Sequence, residues 1–190
     1  MNIKNALATE GWMKTAEFEW LAEKASKLRT IVEVGSWMGR STTAMADDME
    51  SPGVILAVDT WRGSEEHGSF LADKPPDFIY RIFCKNLRKH VDSGRVCAVH
   101  LPSVEAARVF QAIGCAGFDM VFIDAAHDYE NVKADIQAWK PLVKPGGLLR
   151  GHDWGHPPIV QAVRELLGTP KTSSTIWYER IANRPCGGLA

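Results

Sequence analysis

Two short stretches of the chain gather ionisable side chains. Asp124, His127 and Asp128 follow the apolar run 118–123, and His152 and Asp153 follow the run 147–150. Five titratable groups bordered by apolar residues are costly to bury without a task, so they mark a candidate reactive centre. An imidazole exchanges a proton near neutrality, and carboxylates offer oxygen ligands to a divalent cation. The set therefore offers both a general base and a metal-assisted way of activating a hydroxyl. Asp128, just ahead of a helical pattern that begins near Val132, reads as a helix cap instead.

The elements that must position these groups are legible as an alternation. Apolar runs of strand length at 30–34, 54–58, 95–99, 118–123 and 147–150 are separated by helix-like stretches at 40–49, 78–91, 104–113 and 130–139. That pattern predicts an α/β fold, a doubly wound and mostly parallel Rossmann-like sheet with helices on both faces. The runs are continuously apolar, as in Ile55-Leu56-Ala57-Val58 and Met120-Val121-Phe122-Ile123, which fits strands covered on both sides. Spacing of Ala16, Trp20, Leu21, Ala25 and Leu28 predicts an amphipathic helix over 14–28. The segment 62–77 reads as a long loop, 159–167 as a helix stopped by Gly168 and Pro170, and 174–178 as a late strand. The expected layout is one unit over 1–190: an N-terminal helical segment (1–29), a cofactor-binding core (30–154) and a C-terminal helix and strand (155–190).

In an open parallel sheet, ligands bind beyond the carboxyl ends of the strands, so the turns there carry most of the information. The first turn reads Glu33-Val34-Gly35-Ser36-Trp37-Met38-Gly39-Arg40-Ser41. Gly35 permits a tight turn and Gly39 opens the next helix, but Trp37 stands where a dinucleotide fingerprint wants its middle glycine. Glu33 would repel a pyrophosphate. It would favour S-adenosylmethionine, whose sulfonium and ammonium a carboxylate stabilises. The second turn, Asp59-Thr60-Trp61, offers a carboxylate for ribose hydroxyls, and Ser103 after the third strand offers a hydroxyl to an adenine edge.

The stretches V-E-V-G-S-W-M-G-R-S (32–41), A-V-D-T-W (57–61), V-F-I-D-A-A-H-D-Y (121–129) and P-G-G-L-L-R-G-H-D-W (145–154) together resemble the class I S-adenosylmethionine-dependent methyltransferases. The likeness is nearest to the small-molecule branch with the macrocin-type sugar O-methyltransferases and the cephamycin-biosynthesis methyltransferase, and more distantly to catechol O-methyltransferase. It implies transfer of a methyl group to a hydroxyl of a small acceptor, sugar or phenol-like. It also implies that Glu33, Gly35, Ser36, Ser41, Asp59 and Ser103 line the cofactor pocket. In relatives that use Mg²⁺, an Asp after strand four and an acidic pair after strand five hold the ion, which maps onto Asp124, His152 and Asp153. His152 departs from that pattern, and an imidazole there widens the choice to Mn²⁺, Fe²⁺ or Zn²⁺. His127 occupies the position that resembles the general base of the sugar enzymes.

Composition narrows the partners. With 190 residues, 22 Lys+Arg against 23 Asp+Glu and a net charge of -1, the chain lacks the basic excess that nucleic acid or an anionic membrane surface would call for. With no apolar run of membrane-span length and no hydrophobic signal region after Met1, the expectation is a soluble cytoplasmic enzyme with a small-molecule acceptor, and a homodimer if apolar residues of the first helix or of loop 62–77 are exposed. Cys84, Cys97, Cys115 and Cys186 form no C-x-x-C pair and read as reduced, mostly buried thiols. Of seven tryptophans, Trp37, Trp61 and Trp154 fall in turns where they could wall a ligand; Trp12, Trp20, Trp139 and Trp177 need only a core explanation. Rival readings are a nicotinamide-dependent oxidoreductase, disfavoured by Glu33, Trp37 and the missing third glycine, and a non-catalytic cofactor-binding accessory protein.

Overall fold

The computed structural model describes residues 2–50, 52–64 and 67–182. Strands β1 (Thr30–Val34), β2 (Val54–Asp59), β3 (Val96–His100), β4 (Phe118–Ile123), β5 (Val143–Gly151), β6 (Lys171–Ser173) and β7 (Ile176–Arg180) form one sheet in the order β3-β2-β1-β4-β5-β7-β6. The first five run parallel, while β7 lies antiparallel to β5 and β6 antiparallel to β7. The strand order reverses between β1 and β4, so the crevice beyond their carboxyl ends is the natural ligand position.

Alternate residues of each central strand feed two separate cores, which is why the strand runs are unbroken in hydrophobicity. On one face Ile31, Ile55, Met120 and Phe122 pack with Phe18 and Leu21 of α2 (Thr15–Ala25) and Met45 of α3 (Arg40–Asp48). On the other, Val32, Val121 and Ile123 pack with Ile136 and Trp139 of α8 (Tyr129–Trp139) and Val163 of α9 (Pro157–Leu167). Helices α1 (Lys4–Ala8), α4 (Gly68–Leu71), α5 (Phe78–Asn86), α6 (Arg88–Asp92) and α7 (Ser103–Ala112) complete the set.

Several sequence expectations need adjusting. The stretch 78–91 is two helices, because the chain turns at Leu87 to bury that side chain completely against the αL glycine Gly39. The loop 62–77 contains α4, and α1 and β6 were missed, being too short to show a period. The thiols are less buried than expected: Cys84 and Cys115 are half-buried and Cys97 is exposed on β3, an edge strand. Cys186 lies outside the described residues. Among the described residues, no helix is long and apolar enough to cross a membrane.

Candidate active site

The carboxyl ends of β1, β2, β4 and β5 open into a cavity of about 580 Å³. Its floor is the turn after β1. Gly35 has φ +87°, and a Cβ there would stand 2.2 Å from the Asp124 carbonyl oxygen, so only glycine lets the turns after β1 and β4 touch. Asp59, at the end of β2, ties this floor together: Oδ2 accepts the amides of Ser36 (2.9 Å) and Trp37 (2.8 Å), and Oδ1 accepts that of Trp61 (2.7 Å). This tie accompanies the positive φ of Trp37 and Trp61, 46° and 49°. Gly35, Ser36, Trp37, Ser41, Asp59 and Thr60 all line the cavity.

Four expected cofactor residues lie elsewhere. Glu33 is fully buried beneath the floor, where it accepts the Thr42 hydroxyl of α3. Burial pushes its pKa up to about 7, the nearby hydroxyls of Ser41, Thr42 and Ser36 offsetting only part of the cost. Gly39 serves as the left-handed N-cap of α3 and packs against Leu87 and Phe83. Trp61 is a core residue, its ring against Tyr80, Phe83 and His100 and its Nε1 donating to the Trp37 carbonyl at 2.9 Å. Ser103 turns away to stitch α7 to α8: it donates to Asp135 and accepts from Trp139 Nε1 at 2.9 Å. Trp154 likewise packs on the second core and on Arg164 instead of walling a ligand.

The reactive groups do converge. Asp124, His127, His152 and Asp153 line one end of the cavity. His127 Nε2 lies 3.0 Å from Asp153 Oδ2, and His152 Nδ1 faces Asp153 Oδ1 at 3.2 Å and Asp124 Oδ1 at 3.5 Å. Burial works against charge on both partners, yet the two imidazoles hold the Asp153 carboxyl well below the usual range. Asp124 and Asp153 in turn push His152 up to about 11. Asp128 is the N-cap of α8, its side chain accepting the Asn131 amide, as its sequence context suggests.

The sequence points to the N-terminal segment as a source of acceptor choice but not to the residues of it that form a wall of the site. Glu10, Trp12 and Met13 line the cavity beside Trp37 and His67. Trp12 is 72% exposed, with its ring 5.6 Å from Trp37 and 5.2 Å from His67, so it is not the core residue it was expected to be. Arg40 anchors this segment by donating to the carbonyls of Ala6 and Gly11. Also missed was Glu17 of α2, 1% exposed, whose Oε2 lies 3.2 Å from His152 Nε2. Its signal was present: Glu17 shares a helical face with Leu21 and Ala25, an acid on an apolar stripe.

The donor atoms of Asp124, His152 and Asp153 lie within 4.8 Å of one another, close enough to share one ion. One nitrogen and two carboxylates form a donor set that suits Mn²⁺, Fe²⁺ or Zn²⁺ better than Mg²⁺.

Comparisons with known proteins agree with the fold. An uncharacterized protein from Sinorhizobium fredii is 28% identical over 147 residues, covering 75% of this chain but 15% of that protein, so the chain spans a small part of its curated relative. The fold is shared with the O-methyltransferase from Bacillus cereus solved with S-adenosylhomocysteine: TM-score 0.61, 22% identity, 85% of this chain and 72% of that one. It is shared too with TomG from Streptomyces achromogenes, an O-methyltransferase of tomaymycin synthesis solved with S-adenosylmethionine: TM-score 0.65, 16% identity, 90% of this chain and 82% of that one. A family model described as a methyltransferase domain matches residues 32–154, from within β1 to just past β5. That span holds both the glycine turn and the Asp124–Asp153 cluster, and the chain belongs to this methyltransferase-domain family.

Proposed function

We propose that the chain binds S-adenosylmethionine across the turns after β1 and β2 and transfers its methyl group to a hydroxyl of a small molecule held at the Asp124–Asp153 end. The observation that carries this reading is the His127–Asp153 pair at 3.0 Å, set in the wall of a cavity floored by the Gly35 turn. The structural neighbours solved with S-adenosylmethionine or its demethylated product support the choice of cofactor.

With Nε2–H donated to Asp153, the basic lone pair of His127 is that of Nδ1. As the acceptor oxygen attacks the sulfonium methyl in line, its proton passes to Nδ1. The C–S bond breaks with its electrons going to sulfur, leaving neutral S-adenosylhomocysteine. Asp153 stabilises the imidazolium that forms. Asp124 and Asp59 place negative charge along the cavity, which suits a cationic cofactor. A divalent ion held by Asp124, His152 and Asp153 would supply Lewis acidity that lowers the hydroxyl pKa.

Titration calorimetry with S-adenosylmethionine, followed by single-turnover methyl transfer to a panel of sugars, phenols and amines, tests this reading. Binding with transfer to oxygen is expected. Absence of cofactor binding would overturn it, and transfer to nitrogen alone would overturn the choice of acceptor atom.

A further inference from the structure

The buried carboxylate of Glu17 takes no part in the chemistry above, and its surroundings are unusually complete. Oε1 accepts from the Ser174 hydroxyl (2.8 Å), the Thr175 amide (3.4 Å) and the Thr175 hydroxyl. Oε2 accepts the Lys14 amide at 2.8 Å and faces His152 Nε2 at 3.2 Å, a contact across 135 positions of sequence. Thr175 Oγ1 also lies 3.0 Å from His152 Nε2. Because that hydroxyl spends its proton on Glu17, it can offer Nε2 only a lone pair. Both neighbours of Nε2 are therefore acceptors, and Nε2 must carry the hydrogen.

The opposite nitrogen is then committed as well. Nδ1 points between the Asp124 and Asp153 carboxylates, 3.5 Å and 3.2 Å away. Facing two carboxylates, Nδ1 either carries a second proton, the state behind the raised pKa of His152, or gives that proton up for a metal cation bound in the gap. A histidine whose far N–H is held by a carboxylate is the usual arrangement of a metal-bound imidazole, in which the outer carboxylate fixes the ring's orientation and raises its basicity.

We propose that Glu17 is a positioning residue. With Thr175 it fixes His152 as the Nε2–H tautomer, so that Nδ1 joins Asp124 and Asp153 in a site that prefers a nitrogen-accepting ion such as Mn²⁺ over Mg²⁺. This rests on the metal-assisted form of the reading above and goes beyond it by naming what sets the ion's identity. Mg²⁺ takes oxygen ligands and gains little from the imidazole, whereas Mn²⁺ accepts nitrogen readily.

The test uses the full chain stripped with EDTA. Mn²⁺ binding is followed by electron paramagnetic resonance and its displacement by Mg²⁺ is titrated. The unaltered protein is expected to bind one Mn²⁺, with displacement needing about a hundredfold excess of Mg²⁺. Glu17→Gln should weaken Mn²⁺ binding about 10- to 100-fold while changing the Mg²⁺ constant less than about threefold. Thr175→Val, which removes the second acceptor at Nε2 and keeps the carboxylate, should shift Mn²⁺ in the same direction by less. A purely structural role would lower the melting temperature and leave the Mn²⁺/Mg²⁺ ratio unchanged; that result overturns the proposal. So does equal affinity for the two ions, or no binding of either, which would make His152 a protonated partner of the three carboxylates. S-adenosylmethionine calorimetry on the same samples separates the failures. Cofactor binding without metal selectivity sinks only the role of Glu17, whereas loss of cofactor binding sinks the proposed function and leaves the Mn²⁺ titration readable.

Discussion

At the residue scale, the chemistry rests on which proton each side chain carries. His127→Ala should lower kcat by about 10² to 10⁴ while leaving S-adenosylmethionine affinity within about threefold, measured by stopped turnover and calorimetry. Asp153→Asn presents an amide on one oxygen of the pair that orients His127, and should lower kcat with little effect on cofactor binding. Glu33 makes a separate, purely energetic prediction. Its folded pKa of about 7 lies above the ordinary 4.5, so between those values the folded protein holds more protons than the unfolded one. The Glu33 contribution to stability must then fall as pH rises from about 4.5 to about 7 and level off beyond. Glu33→Gln removes this slope and should add on the order of 2 kcal/mol above pH 7, read from urea midpoints at pH 5 and pH 8. An unchanged slope would show that the Glu33 carboxyl ionises as freely folded as unfolded.

At the element scale, the site exists because turns after separate strands are locked to one another. Gly35 and Gly117 share a positive φ, +87° and +90°, but a Cβ on Gly117 meets nothing within 4 Å. Gly117→Ala should therefore cost only the left-handed strain of about 1–2 kcal/mol. Gly35→Ala adds a collision with the Asp124 backbone and should cost at least about twice as much, with cofactor binding lost in parallel. Equal denaturant midpoints for the two variants would mean that the β1 and β4 turns are not held in contact. The alternation of strands and helices was readable because each strand buries residues on both faces, as Ile31 and Val32 do in opposite cores. Helix ends were less readable. Leu87 breaks a continuous helical pattern to fill space beside Gly39, a demand made by a distant turn and not by local propensity.

At the scale of the whole molecule, N-terminal helix, central sheet and C-terminal hairpin meet at Glu17. Burial alone would raise its pKa, but hydrogen bonds from Thr175, the Lys14 amide, Ser174 and His152 pull it down to about 2. Its contribution to stability is thus present above pH 4.5 and lost as pH falls towards 2, opposite in sign to that of Glu33. Acid unfolding followed by circular dichroism should show Glu17→Gln flattening the loss below pH 4.5. A curve superimposable on that of the unaltered protein would remove Glu17 as a junction of these elements.

The sequence by itself determined the class of sheet, the turns that face the crevice, and the presence of Asp124, His127, His152 and Asp153 at neighbouring strand ends. Those features follow from burial periodicity and from glycines whose backbone conformation other residues resist. Only the tertiary structure decided that Ser103 and Trp61 serve packing, that Trp12 reaches the cavity, and that Glu17 meets the ring of His152. The reason is physical. Periodicity reports whether a side chain is buried within its own element, but a buried polar group is satisfied by whichever partner the packing of elements brings to it. For Glu17 that partner lies 135 residues away.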